Sequence, residues 1–142
     1  MVHRNPMKNE IFLDSAFIIA LASKTDSFHE KALQISETLD GKILVTTRAI
    51  MLEVGNALSK RSFRKAGVAL LNALEMDDNV AIISLSDELF TKGMELYSKR
   101  TDKEWGLIDC ISFVVMQERG ILQALTTDIH FQQAGFQTLM RE

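Results

Sequence analysis

Glu10-Ile11-Phe12-Leu13-Asp14-Ser15-Ala16-Phe17-Ile18-Ile19-Ala20 decides how the chain folds. Three apolar residues run straight into a carboxylate, and small and apolar residues follow it. The short run Ile11–Leu13 reads as a buried strand, and residues 15–23 read as a short helix. Asp14 therefore closes a buried strand, where a carboxylate is costly unless it is paired or bound to a cation. Read alone, Asp14 is equally explicable as a helix cap.

Outward from this stretch the pattern recurs. Residues 42–46, 80–84 and 121–127 are further apolar strands, and residues 136–140 can add a fifth at the edge. Between them lie helical periodicities over 27–39, from Thr46 or Thr47 to about 60, 62–76, 87–99 and 106–119, with a short helix or turn over 128–133. Ser86 followed by Asp87 and Glu88 marks a helix start, and Gly120 marks a left-handed stop. Short strands alternating with helices predict crossover connections and a parallel sheet covered on both faces, which is an α/β fold. Such sheets bind ligands beyond the carboxyl ends of their strands. No linker or repeat divides the chain, so residues 1–142 read as a single domain with residues 1–9, which hold Pro6, as a loose tail.

The chain has 142 residues, enough for one domain with a real core. No apolar run approaches a membrane span, and the first residues carry no signal-peptide pattern, so a cytoplasmic location without membrane contact is expected. The single cysteine, Cys110, excludes an internal disulfide and a multi-cysteine zinc site. A net charge of −3 argues against a protein that coats nucleic acid, but a carboxylate-rich metal site adds to that negative count. Two basic clusters, Lys60, Arg61, Arg64 and Lys65, and Lys99, Arg100 and Lys103, are either solvated helix ends or phosphate contacts.

Three acids accompany Asp14. Asp128 follows the fourth strand directly, Glu53 lies about two turns into the helix after the second strand, and Asp109 lies in the first turn of its helix. Each has an ordinary role available: Glu53 as a surface helix residue, Asp109 favouring the helix dipole, Asp128 as a cap. Together they carry more weight, because close carboxylates repel and call for a cation. Oxygen-only ligands select hard ions, Mg²⁺ or Mn²⁺, which also bind phosphate and support in-line phosphodiester hydrolysis.

At this point the motifs carry a family resemblance. Phe12-Leu13-Asp14-Ser15-Ala16, the helix Thr47 to Leu58 around Glu53, the segment Asp102 to Met116 around Asp109, and Leu125-Thr126-Thr127-Asp128-Ile129-His130-Phe131 together resemble a PIN domain of the kind found in VapC-type toxins. The resemblance spans about residues 10–140. It implies a three-layer α/β/α sandwich with four to five short parallel strands. It also implies a metal-dependent ribonuclease whose metal-binding, catalytic acids are Asp14, Glu53, Asp109 and Asp128. RNA would be the substrate, with a homodimer and a small antitoxin as partners. Gly106 departs from the serine or threonine frequent three residues before the third acid, but glycine still serves as an N-cap.

Other residues have ordinary readings. Asp102 is a solvated connector acid or a fifth ligand. Thr126 is a strand-end threonine or a hydrogen-bond donor to a carboxylate or phosphate. His130 reads as a helix-surface residue, His3 and His29 lack metal spacing, Cys110 reads as a core thiol, and Trp105 as a packing residue. The competing class is a non-catalytic PIN-like module that holds RNA or protein. A haloacid-dehalogenase-type phosphatase would need an acid where Ala16 stands, and there is no phosphate loop or dinucleotide fingerprint.

Overall fold

A computed structural model describes residues 9–141. The expected loose tail, Pro6 included, lies outside the described residues except for Asn9. Five strands form one sheet: β1 (Glu10–Leu13), β2 (Ile43–Thr47), β3 (Val80–Ile83), β4 (Gln123–Leu125) and β5 (Gln137–Thr138). The helices are α1 (Ser15–Ala22), α2 (His29–Ser36), α3 (Arg48–Ala57), α4 (Arg61–Met76), α5 (Asp87–Lys99), α6 (Leu107–Arg119) and α7 (Ile129–Gln133).

The sheet order is β3-β2-β1-β4-β5 and every pairing is parallel. The chain lays down β1, β2 and β3 in one direction, then returns to place β4 and β5 on the other side of β1. That reversal opens a crevice beyond the carboxyl ends of β1 and β4, the usual ligand position in open α/β sheets. The opening stretch thus supplies the central strand, and Ile11, Phe12 and Leu13 are all buried. Phe12 pairs with Val45 on one side and Ala124 on the other.

Helix α6 is the most enclosed helix, buried from Cys110 continuously to Met116, as an internal helix should be. Phe113 on this helix meets Phe131 and Trp105 edge-on, at centroid distances of 4.9 and 5.0 Å. Trp105 is buried and donates from Nε1 to Gln133 Oε1 at 3.0 Å, so its expected packing role holds. Helices α5 and α6 run antiparallel: early α5 (Glu88, Leu89) lies beside Val115 and Glu118, and late α5 (Tyr97, Ser98) beside Leu107 and Cys110. Gly93 allows their close approach, because a Cβ there would lie 2.5 Å from Ile111 Cγ1.

Element ends differ from the sequence reading where side chains compete for backbone. Strand β2 extends through Thr47, whose hydroxyl accepts from Ile50 N at 3.1 Å and so caps α3. Thr46, the other candidate cap, instead donates to the Leu13 carbonyl at 2.9 Å and ties β2 to the end of β1. Helix α2 starts later than expected, since Asp26 Oδ1 takes the Phe28 amide in a local turn. Gly120 ends α6 at φ 70°, the expected left-handed stop. Among the described residues, no helix is long and apolar enough to cross a membrane.

Candidate active site

Asp14 lies at the carboxyl end of β1, in the N-cap position of α1, but its side chain closes no capping hydrogen bond. Its cap-like place is therefore a by-product of the strand–helix junction. The carboxyl is buried, and its Oδ2 accepts from the Thr126 hydroxyl at 2.6 Å. Burial pushes the Asp14 pKa from 3.8 up to about 7. The Thr126 hydroxyl and the Ser15 amide pull it down, and the negative charges of Glu53 and Asp109 push it further up. Those two acids thus face Asp14 closely enough for their charge to matter.

Asp128 follows β4, the strand beside β1. It caps α7, accepting from His130 N at 2.9 Å, and its own amide donates to Thr126 Oγ1 at 3.0 Å. Thr126 thereby links the two strand-end acids, through a hydroxyl that donates to Asp14 and accepts from Asp128. Asp109 sits one turn into α6, where its Oδ2 accepts from Gly106 N at 3.1 Å, completing the helix start that glycine was expected to preserve. Burial raises the Asp109 pKa; the bond from His130 opposes the rise, and the nearby Asp128 charge adds to it. Glu53 is half-buried in the middle of α3, at the border of its apolar face.

All four expected acids thus approach the crevice at the strand ends, though not equally. Asp109 and Asp128 form a tight group, Asp14 is coupled to that group through Thr126 and charge, and Glu53 joins through its charge on Asp14. The surface reading of His130 is corrected: its Nδ1 lies 2.9 Å from Asp109 Oδ2 and 3.3 Å from Asp128 Oδ1. Thr126 takes the carboxylate-donor role of its two readings. Asp102 lies apart from the cluster, paired with Arg100 at 2.9 Å, and that guanidinium holds its carboxyl down at about 2. Arg100 also lies over the Trp105 ring, 4.8 Å from its centroid.

These residues fit a hard divalent cation. The donors are mainly carboxylate oxygens, which Mg²⁺ and Mn²⁺ prefer. The buried Asp14 carboxyl is bonded to a neutral hydroxyl and surrounded by like charge, an arrangement that added positive charge would stabilise. The two basic clusters border different parts of the molecule: Lys60, Arg61, Arg64 and Lys65 are exposed at the α3–α4 corner, and Lys99, Arg100 and Lys103 surround the α5–α6 connection that leads to Asp109.

Known proteins resemble the chain in sequence and in fold. The PIN domain family model matches residues 11–137. The 23S rRNA-specific endonuclease VapC20 of Mycobacterium tuberculosis is 27% identical over 126 residues, spanning 89% of this chain and 95% of that protein. Its crystal structure, described as a sarcin-ricin loop cleaving toxin, superposes with a TM-score of 0.81 at 26% identity, over the same shares of the two chains. VapBC2 from Rickettsia felis, solved with a fragment of its promoter DNA, shares the fold at a TM-score of 0.62 and 14% identity, covering 91% of this chain and 96% of its own. With the family model matched from β1 to β5 and the acids gathered at the strand ends, the chain belongs to the PIN domain family.

Proposed function

We propose that this chain is a divalent-metal-dependent endoribonuclease and the toxin member of a toxin–antitoxin pair. The observation that carries the reading is the buried Asp14 carboxyl at the end of the central strand, bonded to Thr126 and sharing the strand-end crevice with the Asp109–Asp128 cluster, where like charge and burial oppose its ionisation. Such an arrangement is unfavourable for folding alone and favourable for holding a cation.

Asp14, Glu53, Asp109 and Asp128 would hold Mg²⁺ or Mn²⁺. When bound, such an ion supplies positive charge for phosphate oxygens and acidifies water at the site. The chain's own residues do the rest. Thr126 fixes the rotamer of Asp14 and the path of the backbone into Asp128. The Gly106 amide fixes Asp109 at the start of α6. Lys99 and Lys103, beside the α5–α6 connection, would hold the RNA backbone by its phosphates. Positioning of this kind lowers the barrier by fixing the reacting groups before reaction.

Cleavage of RNA by the purified protein tests the reading. It is expected to need Mg²⁺ or Mn²⁺, to stop with EDTA, and to be lost in Asp14→Asn and Asp109→Asn while circular dichroism shows the fold intact. Undiminished cleavage in those variants would refute it. The substrate of VapC20 makes 23S rRNA the first RNA to try. A homodimer and a small antitoxin partner belong to the same proposal, tested by light scattering and by co-expression with the adjacent small reading frame.

A further inference from the structure

His130 stands outside the four acids, yet it is part of the tightest cluster in the crevice. One ligand atom each from Asp109, Asp128 and His130 lies within 4.8 Å of the others. The ring is anchored from both ends of its residue. The His130 amide donates to Asp128 Oδ1 at 2.9 Å, and Nδ1 reaches Asp109 Oδ2 at 2.9 Å and Asp128 Oδ1 at 3.3 Å. The Asp109 oxygen is itself fixed by the Gly106 amide at 3.1 Å. Donor atoms about 3 Å apart have the spacing of neighbouring ligands on one ion with bonds of about 2.1 Å. The His130 and Asp128 side chains are 27% and 34% exposed, so the cluster opens to solvent.

We propose that His130 Nδ1 is a nitrogen ligand of the metal centre and that it biases the centre toward Mn²⁺ over Mg²⁺. The proposal rests on the reading of the acids as a divalent-cation site. Mg²⁺ is small and hard, favours oxygen and gives up its waters reluctantly. Neutral imidazole suits first-row transition ions, and Mn²⁺ is the member of that series that also accepts carboxylate ligands readily. A four-acid site alone would discriminate little between the two ions; adding one nitrogen changes the donor set in favour of Mn²⁺. The rival role for His130 is that of a hydrogen-bond donor that only positions Asp109.

The two roles separate on His130→Ala and His130→Asn. Asparagine can place an amide donor near the position of Nδ1, so it retains the hydrogen bond but is a poor ligand. Calorimetry gives the Mn²⁺ and Mg²⁺ dissociation constants, and electron spin-echo spectroscopy of bound Mn²⁺ reads ¹⁴N coupling directly. The expected result is nitrogen coupling in the unmodified protein that disappears in both variants, with the Mn²⁺-to-Mg²⁺ affinity ratio falling by about tenfold. His29 remains in both variants, engaged with the Ala20 carbonyl at 2.7 Å, and serves as an internal control. Absence of coupling in the unmodified protein, or an unchanged ratio in His130→Asn, would overturn the proposal. If Asp14→Asn abolishes binding of both ions while the His130 variants keep the ratio, the metal site stands and this inference alone fails. If the unmodified protein binds neither ion, both fall.

Discussion

Replacing Asp14 by asparagine should make the metal-free protein more stable while removing its function. The native carboxyl is buried and its pKa rises from 3.8 to about 7. Each pKa unit corresponds to about 1.4 kcal/mol, so the ionised form opposes folding by at most about 4 kcal/mol. The sign follows from proton counts. Between these two pKa values the folded chain binds more protons than the unfolded chain, so stability falls as pH rises through that window. The loss is complete above about pH 7 and absent below about pH 4. Asparagine carries no charge but exchanges a charge-assisted bond from Thr126 for a neutral one, which removes about 1 kcal/mol. The net gain for Asp14→Asn is about 3 kcal/mol near pH 8 and below about 1 kcal/mol near pH 5, or about 3 °C of Tm per kcal/mol.

Thermal melts of both proteins in EDTA across this pH range measure the difference. A cation should then offset most or all of this difference. At a hundred times its dissociation constant, Mg²⁺ stabilises the unmodified protein by about 2.7 kcal/mol, and the variant by far less. An asparagine variant that is less stable than the parent near pH 8 without metal, or a difference that does not change with pH, would refute the electrostatic reading of Asp14.

Three further outcomes follow from packing and hydrogen bonding. Thr126→Val should destabilise by about 1–3 kcal/mol, since it leaves the Asp128 amide without its acceptor, and should weaken metal binding, while Thr126→Ser restores both; urea melts and metal titration check this. Gly93→Ala should lower the urea midpoint by a net of about 1–2 kcal/mol, because its Cβ would lie 2.5 Å from Ile111 Cγ1 and the strain exceeds the gain in helix propensity. Cys110, buried in α6 with a pKa raised by that burial, should react with Ellman's reagent only on unfolding, as a stopped-flow comparison in water and denaturant would show.

The fold was legible because its strands are short apolar runs and its helices carry clear periodicity. Ile11–Leu13 and Val80–Ile83 are found where the apolar runs place them, and Ser86 and Gly120 bound α5 and α6 as their chemistry demands. The sheet order is not written in any one segment, because it arises from which edges remain open after β3 is laid down. The four acids could be singled out as a set by their order and apolar context, even though each has an ordinary alternative. His130 was misread because spacing along a five-residue helix does not reveal that its ring turns back toward Asp109 on a helix 21 positions earlier. The available signal was its place two residues after a capping aspartate. Thr126 was ambiguous for the same reason: its partner Asp14 lies 112 residues away.

That long separation has a consequence for when the protein becomes active. The bond from Thr126 to Asp14 spans 112 residues of chain, and β1 gains its second neighbour only when β4 arrives. Contacts of such range form late and slowly in folding. While the chain is being synthesised, N-terminal segments fold first, and the crevice cannot close until residues 123–128 have left the ribosome. The acids at the ends of β1 and β4 therefore come together only after the β4 segment is available to pair with β1, long after Asp14 itself has been made.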